Sequence, residues 1–276
     1  MSVDRPDGTV ALVFDEVEVG CLTEVWLERV LESPSPFERA ADGRVRLQPA
    51  LAGCDARSAA LAAWGAAARD RWSLPGWRDE RMIVRDERDG RPLAAVERAL
   101  LRPLGLLLRS VQACAYTLTA AGPRIWVARR AGHKPVDPGR LDALVAGGIA
   151  GADSPRETLI RECAEEAGIP QALAERAREA GLLELCIAAL DDGVPVVHRE
   201  RVALHELELP ADFVPVPLDG EHAEIVPMSP AEALESIAAG GWTRDGAQAT
   251  TDLVMRRGWM PGGSGPQPTA QLSIRA

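Results

Sequence analysis

One helix is marked in this sequence more clearly than any other element. Ser154 can serve as its N-cap, Pro155 occupies the first helical position, and Glu157 stands at N3, where its carboxylate completes a capping box. Gly168 follows the last turn, the position at which glycine commonly ends a helix. These signals predict a helix over Pro155–Ala167, and any fold of the chain must accommodate it.

Three glutamates on this helix share one face. Glu162, Glu165 and Glu166 stand at i, i+3 and i+4, which brings their carboxylates to within about 5–6 Å of one another. Such a group repels itself, and a hard divalent cation bound through oxygen ligands would compensate the charge, with Mg²⁺ preferred and Mn²⁺ as an alternative. The competing interpretation is a solvated acidic face on which Arg161 pairs with its neighbours.

The residues around the helix extend this pattern. Gly147 is followed by five residues, Asp153, seven residues, and then residues 161–169, which read Arg-Glu-Cys-Ala-Glu-Glu-Ala-Gly-Ile. The pattern resembles the Nudix signature at all but two positions, and agreement at so many specified positions is improbable by chance. The departures are Asp153, where the signature has Glu, and Cys163, where it has an aliphatic residue. The resemblance favours a metal site over a solvated face.

The resemblance implies a fold and a set of roles. The expected fold class is α/β, a Nudix α/β/α sandwich with a mixed sheet, in which the helix and its flanking loops hold the metal over a substrate diphosphate. By the resemblance, Glu162 and Glu166 are the main Mg²⁺ ligands, with Glu165 as a further ligand or as a residue that holds water. Arg161 orients Glu162, and the carbonyl of Gly147 or Gly148 adds a ligand because glycine lets the chain approach the ion. These four side chains are the catalytic candidates, and the sequence leaves open which glutamate is the general base.

Polar residues outside the helix complete the predicted site. Nudix proteins commonly use a further acid from another part of the chain, and Glu221, within Asp219-Gly220-Glu221, is the candidate for an additional metal ligand. Exposed acids on a turn are the alternative. Arg129, Arg130 and Lys134 precede the helix and are candidate substrate-binding residues that would clamp phosphate, although solubility explains loop cations equally well.

Hydrophobic periodicity divides the chain into two parts. Residues 1–110 mix helical patterns with short apolar runs and are expected to form a smaller α+β N-terminal domain. Residues 111–260 are expected to form the Nudix hydrolase domain, and the Gly- and Pro-rich residues 261–276 a disordered tail. Besides the helix above, the patterns predict helices at 21–31, 56–71, 171–180, 230–238 and 248–256. They predict strands at 82–84, 113–119, 124–128, 144–146, 182–188, 194–207 and 223–227.

Further motifs are similar to one Nudix subfamily, the hydrolases related to thiamine pyrophosphokinase, whose members carry an extra N-terminal domain. The matching stretches are 77–80, 96–99, 104–106, 127–130, 138–142, 145–149, 154–160, 207–210, 213–215 and 219–221. The resemblance implies hydrolysis of thiamine diphosphate, or of its oxidised and otherwise damaged analogues, to the monophosphate. The chain departs from the subfamily at Gln112 and Cys114, where relatives tend to have His and Asn, and at residues 243–245, where Thr-Arg-Asp replaces Lys-Pro-Asn.

Two other functions stay open. One is hydrolysis of a different nucleoside diphosphate linked to a group X, of the ADP-ribose, CoA or dinucleotide type. The other is a non-catalytic regulator that binds a ligand on a Nudix fold. Loss of the helix carboxylates is the expected mark of such a regulator, and all three are present here.

Composition limits the partners. The formal net charge of −10 argues against a nucleic acid, which needs clustered positive charge, and favours a small diphosphate substrate. The acidic N-terminus argues against a secretion signal, and the lack of any apolar run of about 18 residues argues against a membrane span. The five cysteines are widely spaced, which is typical of reduced thiols. We therefore expect a cytoplasmic protein, and the sequence leaves a homodimer open.

Overall fold

The computed structural model describes residues 5–134 and 136–260, together with the backbone of Leu272–Arg275. Its N-terminal part contains β1 (Val10–Phe14), β2 (Val17–Leu22), α1 (Glu24–Leu31), β3 (Phe37–Arg39), β4 (Val45–Leu47), α2 (Cys54–Trp72), β5 (Arg81–Arg85), β6 (Pro92–Glu97) and a 3-10 turn at Arg98–Leu100. The first four strands form one sheet in the order β2-β1-β4-β3, and β5 and β6 form a separate hairpin. Helices and strands share one apolar core around Leu12, Trp26 and Leu61.

The second part is built on a mixed sheet of eight strands among the described residues. Its elements are β7 (Leu107–Thr119), β8 (Gly122–Arg130), β9 (Leu141–Ala143), β10 (Val145–Gly148), α3 (Pro155–Ala167), α4 (Gln171–Ala174), β11 (Arg178–Asp191), β12 (Val194–Glu208), β13 (His222–Met228), α5 (Pro230–Ala238), α6 (Arg244–Arg256) and β14 (Leu272–Arg275). The order is β13-β8-β7-β12-β11-β14, with β10 beside β7 and β9 beside β8. β7 runs parallel to β12 and β11 parallel to β14, and the other pairs are antiparallel.

Alternation along β7 divides the core of this part into two layers. Val111 and Ala113 pack with residues of α3, whereas Cys114 and Tyr116 pack with residues of α5 and α6. Because successive side chains of a strand point to opposite faces, the sheet has helices on both sides. The predicted α/β/α sandwich with a mixed sheet, preceded by a smaller part with its own sheet, is confirmed.

Strongly marked elements match their predictions closely. The helices Pro155–Ala167 and Pro230–Ala238 have the predicted bounds, and each begins with a capping box. The predicted helix at 171–180 is too long, because α4 ends at Ala174 and the residues from Arg178 onwards pair with β12 as the start of β11. The last helix begins at Arg244 rather than 248, since the Thr243 hydroxyl caps it. The tail prediction for 261–276 lies outside the described residues, apart from β14.

No helix of the described residues combines the length and the hydropathy needed to cross a membrane.

The predicted helix at 21–31 is shorter than expected. Its first two residues belong to β2, and α1 starts at Glu24 after Thr23. Strand pairing with β1 thus takes precedence over the helical pattern at this point.

The N-terminal sheet joins the mixed sheet through a tight backbone contact. Gly20 on β2 lies against the carbonyls of Leu104 and Gly105. The buried Arg199 of β12 donates from Nη1 to the carbonyl oxygens of Val19 at 3.0 Å and Gly105 at 3.2 Å. One charged side chain therefore bonds to both the N-terminal sheet and the connection that leads into β7.

The variant Gly105→Ala is expected to destabilise the protein at this contact. A Cβ at this residue would overlap the backbone of Cys21, and the backbone of Gly105 has a φ of +56°. Overpacking and left-handed strain together are expected to lower the free energy of unfolding by about 2–4 kcal/mol. Urea unfolding measures the change. Gly43→Ala is the matched control, because Gly43 has a φ of +85° with no neighbouring atom within 4 Å. Equal losses in the two variants would contradict a role for the contact.

Candidate metal and diphosphate site

Glu166 is buried at the base of the site. Only 3 % of the residue is exposed, and its Oε2 accepts a hydrogen bond from the backbone N–H of Ala146 at 2.8 Å. Burial raises the pKa of Glu166 well above its usual range, and the nearby carboxylates of Glu162, Glu221 and Asp219 raise it further. The negative form of Glu166 on α3 would therefore be stabilised by a positive charge placed beside it.

A loop far along the chain brings two more acids to Glu166. One carboxylate oxygen each from Glu166, Asp219 and Glu221 lies within 4.8 Å of the other two. The loop is ordered by a short-range bond, in which Asp219 Oδ1 accepts from the backbone N–H of Glu221 at 2.8 Å. The structure therefore brings the predicted Glu221 to the site and adds Asp219, which the sequence interpretation treated only as part of a turn.

Glu162 lies beside this group and is oriented from two sides. Arg161 Nη1 lies 2.9 Å from Glu162 Oε1 and also contacts Glu165 Oε2 at 3.1 Å. A Cβ on Gly147 would overlap the Glu162 side chain, at a separation that real Cβ atoms essentially never show. Burial, opposed by the charge of Arg161, leaves the pKa of Glu162 raised. Both Glu162 and Glu165 lie outside the group of three, and Glu165 is the more exposed, with 52 % of its side chain accessible against 14 % for Glu162.

Positive charges surround Glu221. Lys134 Nζ forms an ion pair with Glu221 Oε2, and Arg78 Nη1 lies 3.4 Å from its Oε1. Burial alone would raise the pKa of Glu221, but Lys134, Arg78 and Arg98 together lower it below its usual value. Of these cations, Arg78 and Arg98 come from the N-terminal part and were not predicted. The motifs at 77–80 and 96–99 contain them, so the signal was present without an assigned role.

The other two predicted phosphate-binding residues have protein partners. Arg129 Nε donates to Glu224 Oε1 at 2.5 Å on the surface. Arg130 donates to the carbonyl of Val136 and, from Nη1, to Asp142 Oδ2 at 3.2 Å. The structure thus brings Lys134 to the acids on α3 and the 219–221 loop, while Arg129 and Arg130 bond elsewhere. Their contact with phosphate stays a prediction.

The donor set is that of a hard cation. It consists of carboxylate oxygens, with no sulfur or imidazole ligand atom inside the group of three. Mg²⁺ and Mn²⁺ prefer such oxygen ligands, and their charge would relieve the repulsion that raises the pKa values of Glu162 and Glu166. The residues present therefore fit a divalent cation next to the positive side chains of Lys134 and Arg78.

Comparison with known proteins gives two family matches. The family described as NUDIX domain matches residues 108–246, and the family described as Domain of unknown function (DUF4743) matches residues 4–107. Nudix hydrolase 24, chloroplastic, from Arabidopsis thaliana is 34 % identical over 148 residues, which are 54 % of this chain and 40 % of the relative. Nudix hydrolase 20, chloroplastic, from the same plant is 33 % identical over 180 residues, 65 % of this chain and 47 % of the relative.

The chain thus spans less than half the length of these two relatives. Among solved structures, the protein DR0079 from Deinococcus radiodurans is similar with a TM-score of 0.47 and 22 % identity, covering 62 % of this chain and 98 % of that one. The NUDIX match includes α3, its carboxylates and the 219–221 loop, and it extends over half of the sequence. On these grounds, the chain belongs to the Nudix family.

Proposed function

We propose that the chain is a hydrolase that cleaves a phosphoanhydride bond at the group formed by Glu166, Asp219 and Glu221. The observation that carries the proposal is the convergence of these three carboxylates within 4.8 Å, next to Glu162, where Glu166 is buried, Glu221 is partly buried and Asp219 is exposed. A non-catalytic regulator has no need for a buried acid such as Glu166, whose pKa is raised by burial and by the carboxylates that face it. Their retention supports catalysis.

The proposed cofactor is Mg²⁺, with Mn²⁺ as the alternative. Glu162, Glu166, Asp219 and Glu221 would hold it, with the backbone of Gly147 and the partly exposed Glu165 as further ligand candidates. When bound, such an ion lowers the pKa of water and withdraws charge from the phosphate oxygens.

The chain's own side chains position the reactants. Arg161 holds the carboxylate of Glu162, and the backbone N–H of Ala146 holds that of Glu166. Fixed acids of this kind can accept a proton from an attacking water, which typically contributes about 10²–10⁴ in rate. Lys134 and Arg78 supply positive charge beside Glu221, where the oxygens of a diphosphate would lie.

Thiamine diphosphate, or an oxidised analogue, is the proposed substrate, with the monophosphate as product. The support is the resemblance of the motifs at 77–80, 96–99, 213–215 and 219–221 to the hydrolases related to thiamine pyrophosphokinase. The cytoplasmic location and the homodimer stay predictions. The two plant relatives are named as chloroplastic.

Product analysis of the full chain tests this proposal. Purified protein with Mg²⁺ is offered thiamine diphosphate, oxidised thiamine diphosphate, ADP-ribose, CoA and a dinucleoside polyphosphate, and the products are quantified by ³¹P NMR. We expect the highest kcat/KM for a thiamine diphosphate form, release of the monophosphate, and loss of turnover with a chelator. Faster cleavage of ADP-ribose, CoA or the dinucleotide would contradict the substrate. No turnover of any compound would contradict the hydrolase.

A further inference from the structure

A second group of acids, two buried and one partly buried, lies away from Glu166, beside α6. It comprises Asp142, Glu200 and Asp245, which we call the distal carboxylates. Asp142 is on β9, Glu200 is on β12, and Asp245 is in the first turn of α6. The proposed hydrolytic step does not use them.

Polar side chains of β7 and β8 bond to two of the distal carboxylates. Ser110 Oγ donates to Glu200 Oε1 at 2.5 Å, and Gln112 Nε2 donates to Asp142 Oδ1 at 3.1 Å. Arg130 Nη1 donates to Asp142 Oδ2 at 3.2 Å. Ser110 and Gln112 share the strand alternation of Cys114 and Tyr116, so these two side chains lie on the sheet face opposite α3, and Asp142 Oδ1 lies against Gly246 of α6.

The distal carboxylates are close enough to oppose one another's ionisation. Burial, followed by the charge of Asp245, raises the pKa of Asp142 to about 7. Burial, followed by the charge of Glu200, raises the pKa of Asp245. The charge of Arg130 lowers the pKa of both aspartates, and His198 lowers the pKa of Asp245. Arg98 also acts on Glu200, so the three acids face two arginines and one histidine, and they outnumber the permanent positive charges.

Two acceptor atoms beside the distal carboxylates have no partner. Gln112 is 1 % exposed, its Nε2 is bound to Asp142, and its Oε1 is buried without a hydrogen bond. His198 Nε2 contacts Glu200 Oε2 at 2.9 Å, and its Nδ1 is buried without a partner. A ring nitrogen that donates to a carboxylate leaves the other nitrogen as an acceptor. Since an unpaired buried acceptor costs about 1–3 kcal/mol, both atoms favour a ligand that donates hydrogen bonds.

A single metal ion does not suit this arrangement. In the part of the chain that the structure describes, the only three His, Cys, Asp or Glu ligand atoms within 4.8 Å of one another belong to Glu166, Asp219 and Glu221. The distal carboxylates are therefore spread too widely to meet on one ion. A flat, polyatomic cation with several donors fits the spacing better.

Arg98 connects the distal carboxylates with the diphosphate site. It pairs with Glu80 at 2.9 Å, and its Nη1 lies 3.4 Å from the position that a Cβ on Gly148 would take. Its charge lowers the pKa of both Glu221 and Glu200. One side chain is thus within electrostatic range of both groups. The strands also connect them, because Gln112, which bonds to Asp142, pairs with Ala146, whose N–H bonds to Glu166.

We propose that the distal carboxylates, with Gln112 and His198, form a specificity pocket for a cationic, amino-bearing nitrogen heterocycle joined to the diphosphate. The pocket rests on the proposed function for the diphosphate half of the ligand. Negative charge attracts the ring cation, and the two unpaired acceptors receive its amino hydrogens. A neutral heterocycle would gain only the hydrogen bonds.

Binding without metal or turnover tests the pocket. Isothermal titration measures the affinity of the full chain, in the presence of a chelator, for thiamine as a cationic heterocycle without phosphate and for adenosine as a neutral one. We expect thiamine to bind more tightly than adenosine. Asp245→Asn should weaken thiamine by at least about tenfold, equivalent to 1.4 kcal/mol, with little change for adenosine. Glu200→Gln should also weaken thiamine binding, and it provides the test if Asp245→Asn does not fold.

The control is Glu235→Gln, which neutralises an exposed acid on α5. Unchanged thiamine affinity in both folded pocket variants, or tighter binding of adenosine than of thiamine to the wild type, would overturn the pocket. The outcome is separate from that of hydrolysis. Thiamine binding that depends on Asp245 in a protein without turnover would contradict the hydrolase and keep the pocket. Turnover together with thiamine binding that does not depend on the distal carboxylates would keep the hydrolase and contradict the pocket.

Discussion

Glu166→Gln is expected to lower kcat by about 10²-fold or more in the presence of Mg²⁺. Glutamine preserves the volume of the side chain and can still accept the hydrogen bond from the backbone N–H of Ala146. It removes the negative charge that faces Asp219 and Glu221, so the oxygen ligands lose both charge and number. Steady-state kinetics and Mg²⁺ titration measure the effect.

The same variant should not lose stability without metal. Burial raises the pKa of Glu166 above its ordinary value of 4.5. A carboxyl with a raised pKa in the folded state stabilises the fold below pH 4.5, and this contribution is lost as pH rises through the folded pKa. Glutamine removes that dependence. With a chelator present at pH 7, urea unfolding should therefore find Glu166→Gln at least as stable as the wild type.

Glu235→Gln provides the matched control, since it makes the same chemical change at an exposed position of α5. It should leave both kcat and the unfolding midpoint unchanged. Retention of more than about a tenth of the wild-type kcat by a folded Glu166→Gln would count against the metal assignment.

Gly147→Ala should impair activity through Glu162. The added Cβ would overlap the carboxylate end of Glu162, which is flexible enough to rotate away. The fold should therefore survive, while the displaced carboxylate loses its place beside Glu166. We expect kcat/KM to fall by roughly 10²-fold, with a weaker apparent affinity for Mg²⁺ and a loss of less than about 2 kcal/mol in unfolding free energy.

Gly148→Ala separates this effect from a general need for small residues. A Cβ on Gly148 would meet Arg98 Nη1 at 3.4 Å and Arg98 Cζ at 3.6 Å, which are ordinary contacts. The substitution should cost clearly less activity than Gly147→Ala. Equal losses would mean that contact with Glu162 is not the reason for glycine at 147.

Local signals explain what could be predicted from the sequence. Caps, proline and glycine act within one turn, so the bounds of α3 were read directly from residues 154–168. The packing of the carboxylates depends on distant parts of the chain. Asp219 meets Glu166 across more than fifty residues, and no local pattern distinguishes it from an exposed turn acid. Arg78 reaches Glu221 from the N-terminal part in the same way.

The distal carboxylates were even harder to predict from the sequence. Gln112 and Asp245 were noted only as departures from a subfamily, and Asp142 had no assigned role. They come together because β7, β9 and the start of α6 are neighbours in the fold, which periodicity cannot reveal. The division of the chain near residue 110 stays a prediction, although the two parts differ clearly in their sheets.

The bond of Arg199 to the carbonyls of Val19 and Gly105 has a consequence for shortened versions of the gene. A product that starts after residue 107 would remove both acceptors of Arg199, and it would uncover Val196, which packs in the N-terminal core. Loss of these hydrogen bonds and exposure of this apolar surface would destabilise the mixed sheet. We therefore expect the two parts of the chain to be inherited together, with substitutions on one side of this contact compensated by substitutions on the other.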